Sequence, residues 1–278
     1  MLKNNIFDRS RFISFLVKDL MENWKSNLLR VISMYGVIVL VFFFNNYFTF
    51  EHYSPTDIYV ANQVESFGMV LFMWCLWGFG CTSASFTFER MKSKTGKISM
   101  LMTPVTSFEK YLVRWFLMTI LFLVVFLLVY KLADYTRVLF FSLLYPDIDI
   151  IKPISLLHLV GDTEKYCSLF TTNSKFLCMA SGYLLFQSFF VLGSAFWPKN
   201  AFLKTFAVLL IILFIYVSTA MLVNGQIMNN QSGELGYLMS FSGDQIILGV
   251  TIFSFALALI NWVIAYFRFK ESEVINRM

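Results

Sequence analysis

The sequence predicts an all-α polytopic membrane protein: six transmembrane helices, an N-terminal amphipathic helix at the membrane interface, and both termini in the cytoplasm. Composition is the first ground. Hydrophobic residues make up 58% of the 278 residues, charged residues only 14%, and Phe alone occurs 33 times, whereas soluble domains carry about 45–50% apolar and about 25% charged residues. Six strongly apolar stretches without Asp, Glu, Lys or Arg are the second ground. The third is a one-sided distribution of Lys and Arg among the segments between them.

In chain order, residues 8–29 come first. Ile13, Val17, Leu20, Met21, Trp24 and Leu28 recur at helical spacing, and Arg11, Lys18, Glu22 and Lys25 take the other side. A helix with cations on its polar face and a Trp on its apolar face lies in the headgroup layer. The uncharged stretches follow: Val31–Phe50, Ser66–Phe88, Phe116–Tyr130, Phe176–Pro198, Thr205–Gly233 and Gln245–Phe267. At about 1.5 Å rise per residue, crossing about 30 Å of hydrocarbon takes about 20 residues. Five stretches suffice as they stand. The third reaches span length if Trp115 begins it and Lys131 snorkels, carrying it to about Tyr135. The expected spans are therefore 31–50, 66–88, 115–135, 176–198, 205–224 and 245–267 within a single membrane domain, 1–278. They are expected to be helices because lipid cannot satisfy free backbone amides and carbonyls.

Orientation follows from the cations. Lys3, Arg9, Arg11, Lys18, Lys25 and Arg30 precede the first span, and none lies in the next loop. Arg90, Lys92, Lys94, Lys97, Lys110 and Arg114 lie between the second and third spans. Lys199, Lys204, Arg268, Lys270 and Arg277 fall on the same side, which holds seventeen of the 22 cations. The positive-inside rule places that side in the cytoplasm. The net charge of +5 is accounted for by this bias, so nucleic acid is not expected as a partner. The first ~30 residues lack a short basic start with an apolar core, so no cleavable signal peptide is expected. Four cysteines without a CxxC pair point to neither a disulfide nor a metal site.

The remaining connections vary in character. Gly68, Gly78, Gly80, Ser83, Ala84 and Ser85 give the second span a small-residue surface for close helix packing. Residues 136–173 form a long extracytoplasmic segment, broken at Pro146 and Pro153 and expected to form short amphipathic helices. A re-entrant or interfacial element is expected around Leu235–Phe241.

The most informative connection is the cytoplasmic loop 89–107, ERMKSKTGKISMLMTPVTS. Its Gly96-Lys97 resembles the end of a phosphate-binding loop. That motif needs a further glycine five residues before Gly96 and a Ser or Thr after Lys97, and the chain has Met91 and Ile98 there. ATP hydrolysis by this chain is therefore not expected. Ile98, Leu101 and Met102 instead suggest a short helix ending at Pro104, and Thr106 with Glu109 forms a capping-box pattern that starts the next helix. A short apolar helix in the cytosol needs a cover. Its own bundle, the headgroups and a partner protein all satisfy that requirement.

The order of features resembles the ABC-2 class of ABC transporter membrane subunits. The resemblance rests on a leading amphipathic helix, six spans, and the loop residues Glu89-Arg90, Gly96, Leu101, Thr103-Pro104-Val105-Thr106 and Glu109. The chain departs from that pattern with Lys97 for the family's Thr and Ser99 for its acidic residue, and its segment between the third and fourth spans is longer. The resemblance implies the membrane subunit of a bacterial ABC exporter in the inner membrane, paired with a second copy or a related permease. It also implies a cognate ATPase subunit that binds ATP and Mg. The docking residues it implies are Glu89, Arg90, Lys94, Gly96, Lys97, Ile98, Leu101, Met102 and Pro104. A non-transporting scaffold or sensor with the same loop is the alternative. No cofactor is expected in this chain itself, and no catalytic constellation is legible. Asn45, Glu65, Gln187 and Asn261 lie in or near spans and are candidates for lining a pathway or for bonding between helices. Asn46 and Asn224 share that position. Lys131 and Asp134 are spaced to pair with each other, and His52 and His158 have no partners at metal-ligand spacing.

Overall fold

The computed structural model describes residues 7–52, 58–145, 152–161, 168–229 and 243–275. The described residues are all-helical apart from connections. Six of the helices are long and apolar enough to cross a membrane. The chain divides into two compact units: residues 1–83 with 103–176, and residues 84–102 with 177–278.

In the first unit, α1 (Arg9–Glu22) is capped by Asp8, whose side chain accepts from the Ser10 amide, satisfying an otherwise orphaned first-turn N–H. The helix breaks at Asn23, and the first long helix, α2, runs Trp24–His52. The amphipathic segment expected over 8–29 is thus shorter, and Trp24 to Leu29 belong to α2. Asn23 breaks the run by turning inward, its Nδ2 donating to the Asp19 carbonyl at 3.0 Å. The second long helix, α3 (Ile58–Ser85), ends three residues before the limit expected from charge alone. There Thr87 folds back, its hydroxyl donating to the Ala84 carbonyl at 2.7 Å.

The third long helix departs most from expectation. It begins at Ser107, where the capping-box pattern starts it, and runs on to Leu144, past the expected end of the 115–135 span. It comprises α5 (Ser107–Phe116), a π turn (Leu117–Leu121) and α6 (Phe122–Leu144). The π turn leaves a carbonyl accessible from the side, and the Ser83 hydroxyl of α3 donates to the Met118 carbonyl at 3.1 Å. The unit's core follows from helical spacing. Met34, Ile38 and Phe42 on α2 meet Phe126, Val129, Tyr130 and Ala133 on α6, with Met69 and Phe72 of α3.

Among its described residues, the long connection after α6 is not a run of short amphipathic helices. α6 itself continues to Leu144, and a single 3-10 turn, Leu156–Leu159, is the helical piece among its described residues. Ile154 is seated in the α2–α3–α6 core. It lies so close over Gly68 that a Cβ there would come within 2.1 Å of its Cδ1. The Tyr130 hydroxyl donates to the Gly68 carbonyl at 2.6 Å. Asp134 pairs with Arg137 at 2.7 Å and not with Lys131. Asp134 also accepts from the Ile154 amide, Arg137 donates to the Lys152 carbonyl, and Lys131 donates to the Ile154 carbonyl. Lys131 therefore has a backbone partner within the protein.

In the second unit, α4 (Lys94–Met102) belongs with α7 (Asn173–Phe196), α8 (Ala201–Asn229) and α9 (Gly243–Ile275). α7 and α8 approach closely at Gly193, whose missing Cβ leaves room for the Thr205 side chain. Asn200 makes the turn between them in the left-handed region (φ 59°), which Asn tolerates better than most residues. On α9, Ser254, Ala258, Asn261 and Ala265 form one buried face of small and polar residues, a pattern that admits close helix approach. Most other large side chains of α8 and α9 are apolar and exposed, as expected of surfaces facing lipid. The interfacial element expected around Leu235–Phe241 lies outside the described residues.

Candidate coupling site

Phe88 closes the base of the loop after the second long helix. It is buried and stacks on Phe269 of α9 with ring centroids 5.1 Å apart. The 3-10 turn Glu89–Lys92 follows, holding Glu89 and Arg90 half-buried and Met91 buried. Ser93 starts α4, its hydroxyl accepting from the Gly96 amide at 3.1 Å. Gly96 faces inward, since a Cβ on it would stand 2.2 Å from the Arg90 carbonyl oxygen. The glycine is therefore what lets α4 fold onto the turn before it. Gly96→Ala is expected to separate α4 from that turn and destabilise the loop by about 1–3 kcal/mol, read as faster limited proteolysis between residues 89 and 103 while the long helices stay intact.

α4 divides cleanly between its faces. Met100 is buried and Lys97 half-buried, whereas Lys94 is exposed and Ile98 and Met102 are 52% and 80% exposed. The backbone of Leu101 is helical, and its side chain lies outside the described residues. Glu89 through Met102 thus share one unit, while Pro104, exposed, belongs to the other.

After Pro104 the chain restarts as α5 through a complete capping box. Thr106 accepts from the Glu109 amide, and Glu109 accepts from the Thr106 amide. Glu109 does more than cap. Its carboxylate also accepts from the Asp8 amide at 2.7 Å and from Arg11 at 3.1 Å. One turn further, Arg114 forms an ion pair with Asp19 at 2.8 Å, with side chains only 4% and 2% exposed. Phe15, Val113 and Leu117, flanked by Phe12, Leu16 and Leu20, fill the space between these pairs. α1 is thereby fastened to α5 by two ion pairs with an apolar seam between. Asp8, Arg11, Asp19 and Arg114 are functional candidates that the sequence reading did not single out. Asp19 carries a usable signal, standing one turn after Phe15 on an apolar face. Ile13, Val17 and Met21 stay on the outer face of α1, exposed, while Leu20 turns inward to the seam.

The polar candidates within the spans are dispersed. Asn45 is half-buried on α2, and its backbone carbonyl accepts from the Thr49 hydroxyl. Asn46, buried beside it, has an Nδ2 with no hydrogen-bond partner among the described residues. Glu65 pairs with His158 Nδ1 at 3.3 Å, giving that histidine a carboxylate partner the sequence did not suggest. Gln187 is fully buried on α7. Asn261 of α9 donates to the Ser188 hydroxyl of α7 at 2.9 Å, an interhelical bond. The side chains of His52 and Asn224 lie outside the described residues. No group of three or more His, Cys, Asp or Glu able to hold a metal occurs among the described residues. Comparisons of the chain with protein-family models, with curated proteins and with solved structures find no match.

Proposed function

We propose that this chain is the membrane-spanning subunit of a bacterial ABC exporter. In this reading it resides in the inner membrane with both termini in the cytoplasm, pairs with a second copy or a related permease, and forms the substrate path. A separate ATPase subunit binds ATP and Mg and seats α4. The observation that carries the reading is α4 itself, a nine-residue helix between two long helices that presents Ile98 and Met102 outward. Exposed apolar side chains on a folded, capped element call for a cover, and in this reading the ATPase supplies it. The clamp of α1 on α5 supports it further. Force delivered to the chain at Thr103-Pro104 enters α5, and α1 is tied to α5, so the two shift as one body. The ATPase supplies the chemistry, and this chain converts the displacement into altered access to the path.

Recovery of the ATPase subunit encoded beside this chain, by affinity capture of the full-length protein in detergent, tests the reading. Ile98→Asp with Met102→Asp is expected to lower recovery by at least about a hundredfold, since each side chain contributes roughly 1.5–3 kcal/mol when buried. Equal recovery with the unaltered chain would count decisively against docking through α4.

A further inference from the structure

We propose that the surface seating α4 is a protein groove with an acidic rim, rather than the lipid headgroup layer. The inference rests on the docking reading above and specifies the partner's chemistry. Lys94, Ile98 and Met102 recur every four residues and form one exposed stripe on α4. Lys92, in the preceding turn, and Lys97, beside the stripe, extend the positive charge. None of the three lysines forms an ion pair among the described residues. Uncovered cations around two apolar anchors are complementary to carboxylates around an apolar pocket.

Lipid is the less suitable cover, and the same chain supplies the contrast. The outer face of α1 and the start of α2 expose Ile13, Val17, Met21, Trp24 and Leu28, a wide bulky stripe with an interfacial Trp. α4 instead places the exposed Thr95 and Ser99 beside its two apolar side chains and has no aromatic residue.

The test uses the full-length chain in nanodiscs and purified ATPase subunits of the source organism that lack spans of their own, assayed one by one. Lys92→Glu, Lys94→Glu and Lys97→Glu together are expected to weaken binding about tenfold at low salt and to flatten its salt dependence. A carbodiimide, which joins an amine to a carboxylate, is expected to link Lys92, Lys94 or Lys97 to the ATPase. An unchanged Kd and no such link, with Ile98→Asp still abolishing binding, overturns the acidic rim and leaves the docking reading standing. If Ile98→Asp is also without effect, or no ATPase subunit binds, the docking reading fails and the proposal with it. An Ile98→Cys thiol shielded from a water-soluble maleimide in phosphatidylglycerol discs without ATPase identifies headgroups as the cover and overturns the proposal as well.

Discussion

Asp19→Ala is expected to destabilise the chain by about 3–5 kcal/mol, among the largest effects of any single substitution outside the apolar core. The reason is what remains. Arg114, 4% exposed, would keep its charge with its carboxylate partner removed. Arg114→Ala removes the cation paired with the buried Asp19 carboxylate, which still accepts from Asn23 Nδ2 at 3.4 Å. Asp19→Leu with Arg114→Met should recover most of the loss, because an apolar pair of similar volume carries no desolvation penalty. Thermal unfolding in detergent of Asp19→Leu, of Arg114→Met and of the two together completes a double-mutant cycle. Additive losses in the double variant would show that the two residues are not coupled. Under the proposed function, the recovered double variant would also keep α1 joined to α5 through the Phe15–Val113–Leu117 seam.

Asp134→Ala should cost a similar amount, about 3–5 kcal/mol, by leaving Arg137 buried and uncompensated. Both side chains are at most 1% exposed. Here a second readout separates charge from architecture. Asp134 also accepts from the Ile154 amide, so Asp134→Ala with Arg137→Met should regain global stability yet still lose protection of that amide. Hydrogen exchange at Ile154 measures this directly. Full protection in the double variant would show that core packing of the Ile154 side chain holds the connection without the clasp.

These pairs also explain which parts of the molecule the sequence discloses. Five long helices are legible because their surfaces meet lipid or apolar neighbours, so an uncharged run marks each one. The third is only half legible. Glu109, Lys110, Arg114, Asp134 and Arg137 all lie within it and all are buried. Glu109, Arg114, Asp134 and Arg137 are neutralised by ion pairs, some with partners 98 and 95 residues away in the chain (Arg11–Glu109 and Asp19–Arg114). A search for charge-free sequence discards such residues as loop, since a paired charge and a solvated one look alike in one dimension. The loop site shows the reverse case. Its helix, Pro break and capping box are local features and are read directly from residues 94–109. Gly96 is legible as a motif residue, but its contact with the Arg90 carbonyl depends on how the chain folds back. The leading helix is legible as amphipathic, yet its two apolar sides, one against α5 and one exposed, merge into one broad stripe when only spacing is counted.

The π turn at Leu117–Leu121 gives the third long helix a phase step. One residue more or less in a helix rotates everything beyond it by about 100°. Losing a single residue there would leave the rod almost the same length while swinging the Glu109–Arg114 side of α5 away from Arg11 and Asp19. Hydropathy and span count would not register the loss. Those five positions are therefore constrained in number as well as in kind: Leu117, Met118 and Thr119 are buried, and the turn must keep its residue count for the leading helix to stay attached.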